Sequence, residues 1–190
     1  MLAPPWCARC GAPTTWPVAS CVECVGQRLS FTTARAGVAY ADAARPLLRA
    51  WKEGGLRTLA EVATEIVAAG VPVPTADLVT WIPADGDRSL RRGHHPAAAL
   101  AAGLGQRWNI DVVPLLRRRR SVARQTGLAR TDRRANVRDA FVATVSLDGR
   151  RIVLVDDVYT TGATTSAAAE ALTGAGAAAI EVVTFARTVR

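Results

Sequence analysis

Short unbroken apolar runs alternate along the chain with longer stretches in which apolar residues are spaced. Ile152-Val153-Leu154-Val155 is apolar at four consecutive positions, three of them β-branched, the pattern of a strand buried on both faces. Leu78–Ile82, Asp111–Leu115, Phe141–Val145 and Ala177–Phe185 read as further short strands, with Phe141–Val145 returning toward the Ile152 strand. The spacing of Val38, Tyr40, Leu47, Leu48 and Trp51 predicts a helix over 36–51, ended by Gly54-Gly55. Leu59, Val62, Ile66 and Val67 predict a second helix from Leu56 to about Ala68, and Val71-Pro72-Val73-Pro74 reads as a linker. Alanine-rich stretches at Pro96–Trp108 and Thr165–Leu172 predict two more helices. Strands alternating with helices predict an α/β fold, a parallel sheet flanked by helices.

Composition narrows this picture. The 190 residues are 49% hydrophobic, enough for one domain of ordinary size plus a small appendage. No apolar run approaches the ~20 residues that span a bilayer, and the first residues lack the basic start and apolar core of a signal peptide. The expectation is a cytoplasmic protein with no membrane partner.

The formal net charge is +8, and it is concentrated. Arg88 to Arg151 holds fifteen arginines against Asp111, Asp132, Asp139 and Asp148, a local +11, which leaves the remainder at −3. Such a region attracts polyanions, either nucleic acid or a pyrophosphate-bearing substrate, or it is a solvated surface written in arginine. Residues 117–138 combine high charge with no periodicity and read as a flexible basic loop, of the length at which loops act as lids or binding segments. Lys52 is the only lysine against 23 arginines; a compact ammonium differs chemically from the guanidinium fork used elsewhere.

All four cysteines fall in two C-x2-C pairs, Cys7/Cys10 and Cys21/Cys24. Each pair places two thiolates on one turn, and two turns together make a closed tetrahedral site of the kind structural Zn²⁺ takes; disulfides are the alternative. So short a segment draws its folding energy from the metal. The expected organisation is a four-cysteine zinc module at 1–30 and a second domain at 31–190. Trp6, Trp16, Arg9 and Arg28 either stack on and steer single-stranded nucleic acid or simply cover the module.

The Ile152 strand carries the sharpest chemistry. Asp156 and Asp157 stand where it emerges, and ligands of open α/β sheets bind outside the carboxyl ends of strands. Thr160-Thr161-Gly162-Ala163-Thr164 then feeds the next helix, offering hydroxyls, unpaired N–H groups and the positive end of a helix dipole to a phosphate. The acids can accept hydrogen bonds from sugar hydroxyls or hold Mg²⁺ through water. A solvated acid pair beside a simple helix cap is the plainer reading.

The string from Ile152 to Thr164 resembles the phosphoribosyl pyrophosphate signature of the type I phosphoribosyltransferases. That resemblance implies that Asp156 and Asp157 hold the ribose hydroxyls while Thr160, Thr161, Gly162, Ala163 and Thr164 wrap the 5′-phosphate. With the cysteine pairs in front, nearly the whole chain is similar to the ComF family (ComFC/GntX-like), a zinc finger joined to a type I phosphoribosyltransferase domain. Lys52 with Gly54, the arginine-rich turn Arg88 to Gly93, Gln125-Thr126-Gly127-Leu128 and Arg133-Arg134-Ala135-Asn136 resemble segments of that family. His94-His95-Pro96 departs from it, since an aromatic and an asparagine usually precede a glutamine there; two histidines donating to a diphosphate is one reading, and surface residues the other.

The resemblance implies a Mg²⁺-dependent transferase with acids Asp156 and Asp157 at its centre, Lys52 and Arg92 as diphosphate-side cations, and an acceptor left open. It also implies a link to DNA uptake in natural transformation, with single-stranded DNA and a DNA-uptake helicase as partners. The competing reading is a non-catalytic DNA-binding protein that uses the zinc module and the basic segment. An effector-binding transcriptional regulator ranks last, because no helix-turn-helix spacing is evident.

Overall fold

The structure is a computed structural model that describes residues 2, 4–41, 44–53, 58–84, 94–119 and 140–189. Its elements run β1 (Thr33–Ala39), α1 (Ala44–Glu53), α2 (Leu59–Gly70), β2 (Leu78–Trp81), α3 (Pro96–Trp108), β3 (Leu116–Arg118), β4 (Phe141–Ala143), β5 (Arg151–Tyr159), α4 (Ala163–Gly174) and β6 (Ala179–Arg187). β1, β6, β5 and β2 form one four-stranded sheet in that order, every neighbouring pair parallel. The expected α/β class, a parallel sheet flanked by helices, is what the chain adopts.

Alternation along β5 divides the core. Val153 and Val155 join Leu48, Trp51, Val67, Leu100, Leu104, Val183 and Phe185 beneath α1, α2 and α3. Ile152 and Leu154 point the other way, into a cluster with Ala168 and Leu172 of α4, Leu116 and Phe141 of the β3–β4 hairpin, and Cys7, Cys10, Cys24, Leu29 and Phe31 from the N-terminal segment. β5 is therefore buried on both faces, as its unbroken apolar run requires.

Several boundaries differ from the sequence expectation. The helix expected over 36–51 begins only at Ala44, and residues 36–39 belong instead to a strand: Thr33 to Ala39 pair in parallel with β6, and Gly37 lets Val67 and Ile66 of α2 close on the strand. Ladder pairing at the sheet edge outweighs the weak helical pattern. The 111–115 segment runs beside β2 but makes only a bridge, Val79 to Val112. Pro114 has no N–H to give, and the Leu115 N–H goes to the Thr80 hydroxyl at 3.1 Å, so the ladder stops. β4 pairs antiparallel with β3, away from the main sheet, and this hairpin takes in Arg117 and Arg118. β5 continues through Asp156 and Asp157 to Tyr159 instead of ending at the acids. Helix α3 coincides with its predicted span. Gly54-Gly55, Arg88 to Gly93 and residues 120–139 lie outside the described residues.

Candidate functional site

Parallel pairing aligns the carboxyl ends of β5 and β6, with Asp156 opposite Thr184 and Tyr159 opposite Arg187. At this edge the structure gathers Asp156, Asp157, the Thr160–Thr164 turn and Lys52. The last turn of α1 delivers Lys52, whose Nζ lies 2.7 Å from Asp157 Oδ1, both side chains partly buried. Asp156 accepts a hydrogen bond from the Asp157 N–H at 2.8 Å. Burial, and then the neighbouring Asp157 charge, push the Asp156 carboxyl well above the ordinary carboxylate range, against the pull of Lys52 and Arg118. Arg92 lies outside the described residues.

The turn is built around Gly162, at φ +77°, a left-handed conformation that disfavours a side chain. It caps α4 without a side-chain hydrogen bond. Thr160, Thr161, Ala163 and Thr164 are exposed around it, while Thr165 turns inward and donates to the Gly162 carbonyl at 3.0 Å. Exposed hydroxyls and the positive end of a twelve-residue helix thus follow directly on the acids along the chain. The arrangement suits a ligand with an anionic group at one end and hydroxyls at the other.

His94 and His95 serve the scaffold at the α3 N-terminus. His94 Nε2 contacts the Trp51 carbonyl of α1, and His95 Nε2 accepts from the Ala84 N–H at 2.7 Å. Burial lowers the His95 pKa, which keeps the ring neutral and able to accept. These contacts tie β2 and α3 to the helix end that carries Lys52.

The four cysteines converge as the spacing predicts. Their sulfurs lie within 4.8 Å of one another and none is in a disulfide. Cys7 Sγ is 3.6 Å from Cys24 Sγ, Cys10 Sγ is 3.5 Å from Cys21 Sγ, and Cys21 and Cys24 are 3.9 Å apart. A tetrahedral ion with Zn–S bonds of about 2.3 Å sets its sulfurs about 3.8 Å apart, so this donor set fits zinc and leaves no coordination position for a substrate. Cys7, Cys10 and Cys24 are buried; burial pushes the Cys10 and Cys24 thiols up, whereas against burial the backbone N–H groups of Cys10 and Arg9 bring Cys7 down to about 7, so a cation among the sulfurs would serve chiefly to hold Cys10 and Cys24 as thiolates.

Two residues of this region escape a reading of motifs. Arg187, at the end of β6, is 1% exposed; its Nη1 donates to the Cys10 carbonyl and its Nη2 lies 2.8 Å from Glu23 Oε2. Tyr159 packs under that guanidinium, 5.1 Å from its centre. The available sequence signal is an arginine closing an apolar strand, Phe185-Ala186-Arg187, in a chain where arginine is too common to stand out.

Residues 90–189 match the family model described as phosphoribosyl transferase domain. The chain is 28% identical over 195 residues to DNA utilization protein YhgH of Escherichia coli (strain K12), covering 96% of this chain and 84% of that protein. It is 28% identical over 196 residues to Competence protein F of Haemophilus influenzae, covering 96% and 85%. Among solved structures, the allosteric regulatory enzyme of purine biosynthesis superposes with a TM-score of 0.46 at 25% identity, over 66% of this chain and 25% of that one. The family model spans more than half of the chain and the competence and DNA-utilization relatives span nearly all of it, so the chain belongs to the phosphoribosyl transferase domain family, in its ComF group.

Proposed function

We propose that the protein binds phosphoribosyl pyrophosphate with Mg²⁺ at the carboxyl edge of the sheet and serves DNA utilization of the kind its relatives' names describe. One observation carries this reading: the acid pair, the left-handed glycine turn and the bare start of α4 stand in unbroken order at the end of β5, with Lys52 on Asp157. The turn and the start of α4 take the 5′-phosphate. Asp156 and Asp157 accept from the ribose hydroxyls and, through water, are the residues that would hold Mg²⁺. Bound there, Mg²⁺ would supply charge neutralisation to a departing diphosphate. Lys52 exchanges its ion pair with Asp157 for the diphosphate when the ligand arrives, with Arg92 as the second cation of that side. Displacement at the anomeric carbon develops positive charge on the sugar, which the two carboxylates stabilise. Among the described residues none stands as a general base for an acceptor, and the acceptor stays open.

Calorimetric titration of the zinc-loaded protein with phosphoribosyl pyrophosphate and Mg²⁺ tests the proposal. Binding by the wild type that the Asp156→Ala, Asp157→Ala double variant loses supports it. No binding by folded wild type overturns it, and leaves the second reading, single-stranded DNA held by the cysteine segment and the arginine-rich region. Exposed Trp16, at 66%, and Trp6 beneath the Arg35 guanidinium at 5.5 Å favour that reading as an added activity.

A further inference from the structure

Arg187 is the most deeply buried cation among the described residues. A buried guanidinium is tolerated only when its charge is paired and its N–H groups are satisfied. The carboxylate that pairs it, Glu23, and the Cys10 carbonyl that accepts from it both belong to the four-cysteine segment, 164 and 177 residues away along the chain. Both lie within the loops that the cysteines define. Charge compensation of Arg187 therefore depends on that segment being folded, which depends on its metal.

Through Tyr159 the same guanidinium is linked to the Thr160–Thr164 turn. It lies over the Tyr159 ring, whose other contacts include the edge of Phe31 at 6.2 Å and 82°. The Tyr159 hydroxyl fills the space beside Gly162, where a Cβ would collide with it. A second tie runs in parallel: Ser166, in the first turn of α4, donates to the Arg28 carbonyl at 3.1 Å and accepts from the Ser30 N–H at 3.0 Å.

We infer that the cysteine segment, through Glu23, Arg187 and Tyr159, sets the position of the Thr160–Thr164 turn, so that order and anion binding at this turn depend on a metal site that never touches the ligand. Arg187 is a positioning residue, as is Tyr159. The ligand part of this inference rests on the proposed phosphate site; the ordering part does not.

The test compares zinc-loaded wild type with Glu23→Gln, which removes the carboxylate charge and spares all four cysteines. Backbone ¹⁵N order parameters at Thr161, Gly162 and Ala163 should fall from about 0.85 to below about 0.6 in the variant, with zinc retained and α3 unchanged. Glu23→Asp, which keeps the charge, should recover part of the order, and chelating the zinc from wild type should reproduce the loss. Unchanged order at the turn, or a loss shared equally by α3, overturns the inference. In the ligand arm, affinity for ribose 5-phosphate should fall about tenfold in Glu23→Gln while affinity for Mg²⁺-diphosphate, held from the Lys52 side, stays as in wild type. Equal losses for both ligands, or none, overturn it. Failure of wild type to bind either ligand counts against the phosphate site alone, and the order parameters then decide the coupling.

Discussion

Asp156 keeps a proton to higher pH than a free carboxyl does, because burial and the adjacent Asp157 charge both oppose its ionisation; its pKa is pushed up to about 8. The native state thus binds this proton more tightly than the unfolded chain. Its contribution to stability is complete below the ordinary carboxyl range and is lost as pH rises toward 8. Melting temperature should accordingly fall as pH climbs from about 5 to about 8, and Asp156→Asn should flatten that slope. A ligand-bound Mg²⁺ at the proposed site would reverse the balance of charge, so binding near neutral pH should release a proton, read as a dependence of the calorimetric heat on the buffer's ionisation enthalpy. Lys52→Met strands Asp157 without its cation. Affinity for Mg²⁺-phosphoribosyl pyrophosphate should drop about tenfold with little change in secondary structure; an unaltered titration curve would remove Lys52 from the site.

The turn between β5 and α4 is held by its backbone conformation and by what lies beneath it. Gly162→Ala meets both obstacles, a positive φ and the Tyr159 hydroxyl in the way of the new methyl. The cost should be about 2 kcal/mol, seen as a lower urea midpoint at unchanged slope, together with loss of phosphoribosyl pyrophosphate binding. The cysteine segment is also an element whose fate can be read separately. It is fastened to the sheet by the Ala34 N–H to Arg9 carbonyl bond at 2.7 Å, by Gly11 seated against the Ala34 carbonyl, and by Arg187. Chelation of its metal should lower the thermal midpoint of the whole domain, where a loosely tethered finger would melt alone; two separate transitions in calorimetry would refute this.

At the scale of the molecule, the two faces of the sheet carry different duties. Helices α1, α2 and α3 cover one face and bring Lys52 to the acids, while α4, the β3–β4 hairpin and the cysteine segment cover the other and support the Thr160–Thr164 turn. No helix among the described residues is long and apolar enough to cross a membrane. The +8 chain should hold single-stranded DNA in a salt-dependent way, with affinity falling linearly in log salt and weakening almost uniformly as arginines are removed. The Asp156→Ala, Asp157→Ala variant should retain that binding. Loss of DNA binding in a folded double variant would mean that nucleic acid and sugar phosphate share one site.

What could be read from the chain alone was chemistry written in contiguous residues: the apolar run, two acids, a hydroxylated glycine turn and a helix follow one another within Ile152 to Leu172, and each cysteine pair fits on one turn. Short-range order of this kind survives translation into structure because local geometry enforces it. Helix α3 was equally legible, with Pro96 at its start and apolar residues facing the core along its length. The strand at Thr33–Ala39, the hairpin pairing of Phe141–Ala143 and the stalled ladder at Pro114 were not, since each depends on which neighbour offers hydrogen bonds. Lys52 on Asp157 and Arg187 between Glu23, Cys10 and Tyr159 join residues remote along the chain. Only the folded sheet, with α1 over one face and the cysteine segment over the other, brings those charges within reach, and deep burial makes the pairing of Arg187 obligatory.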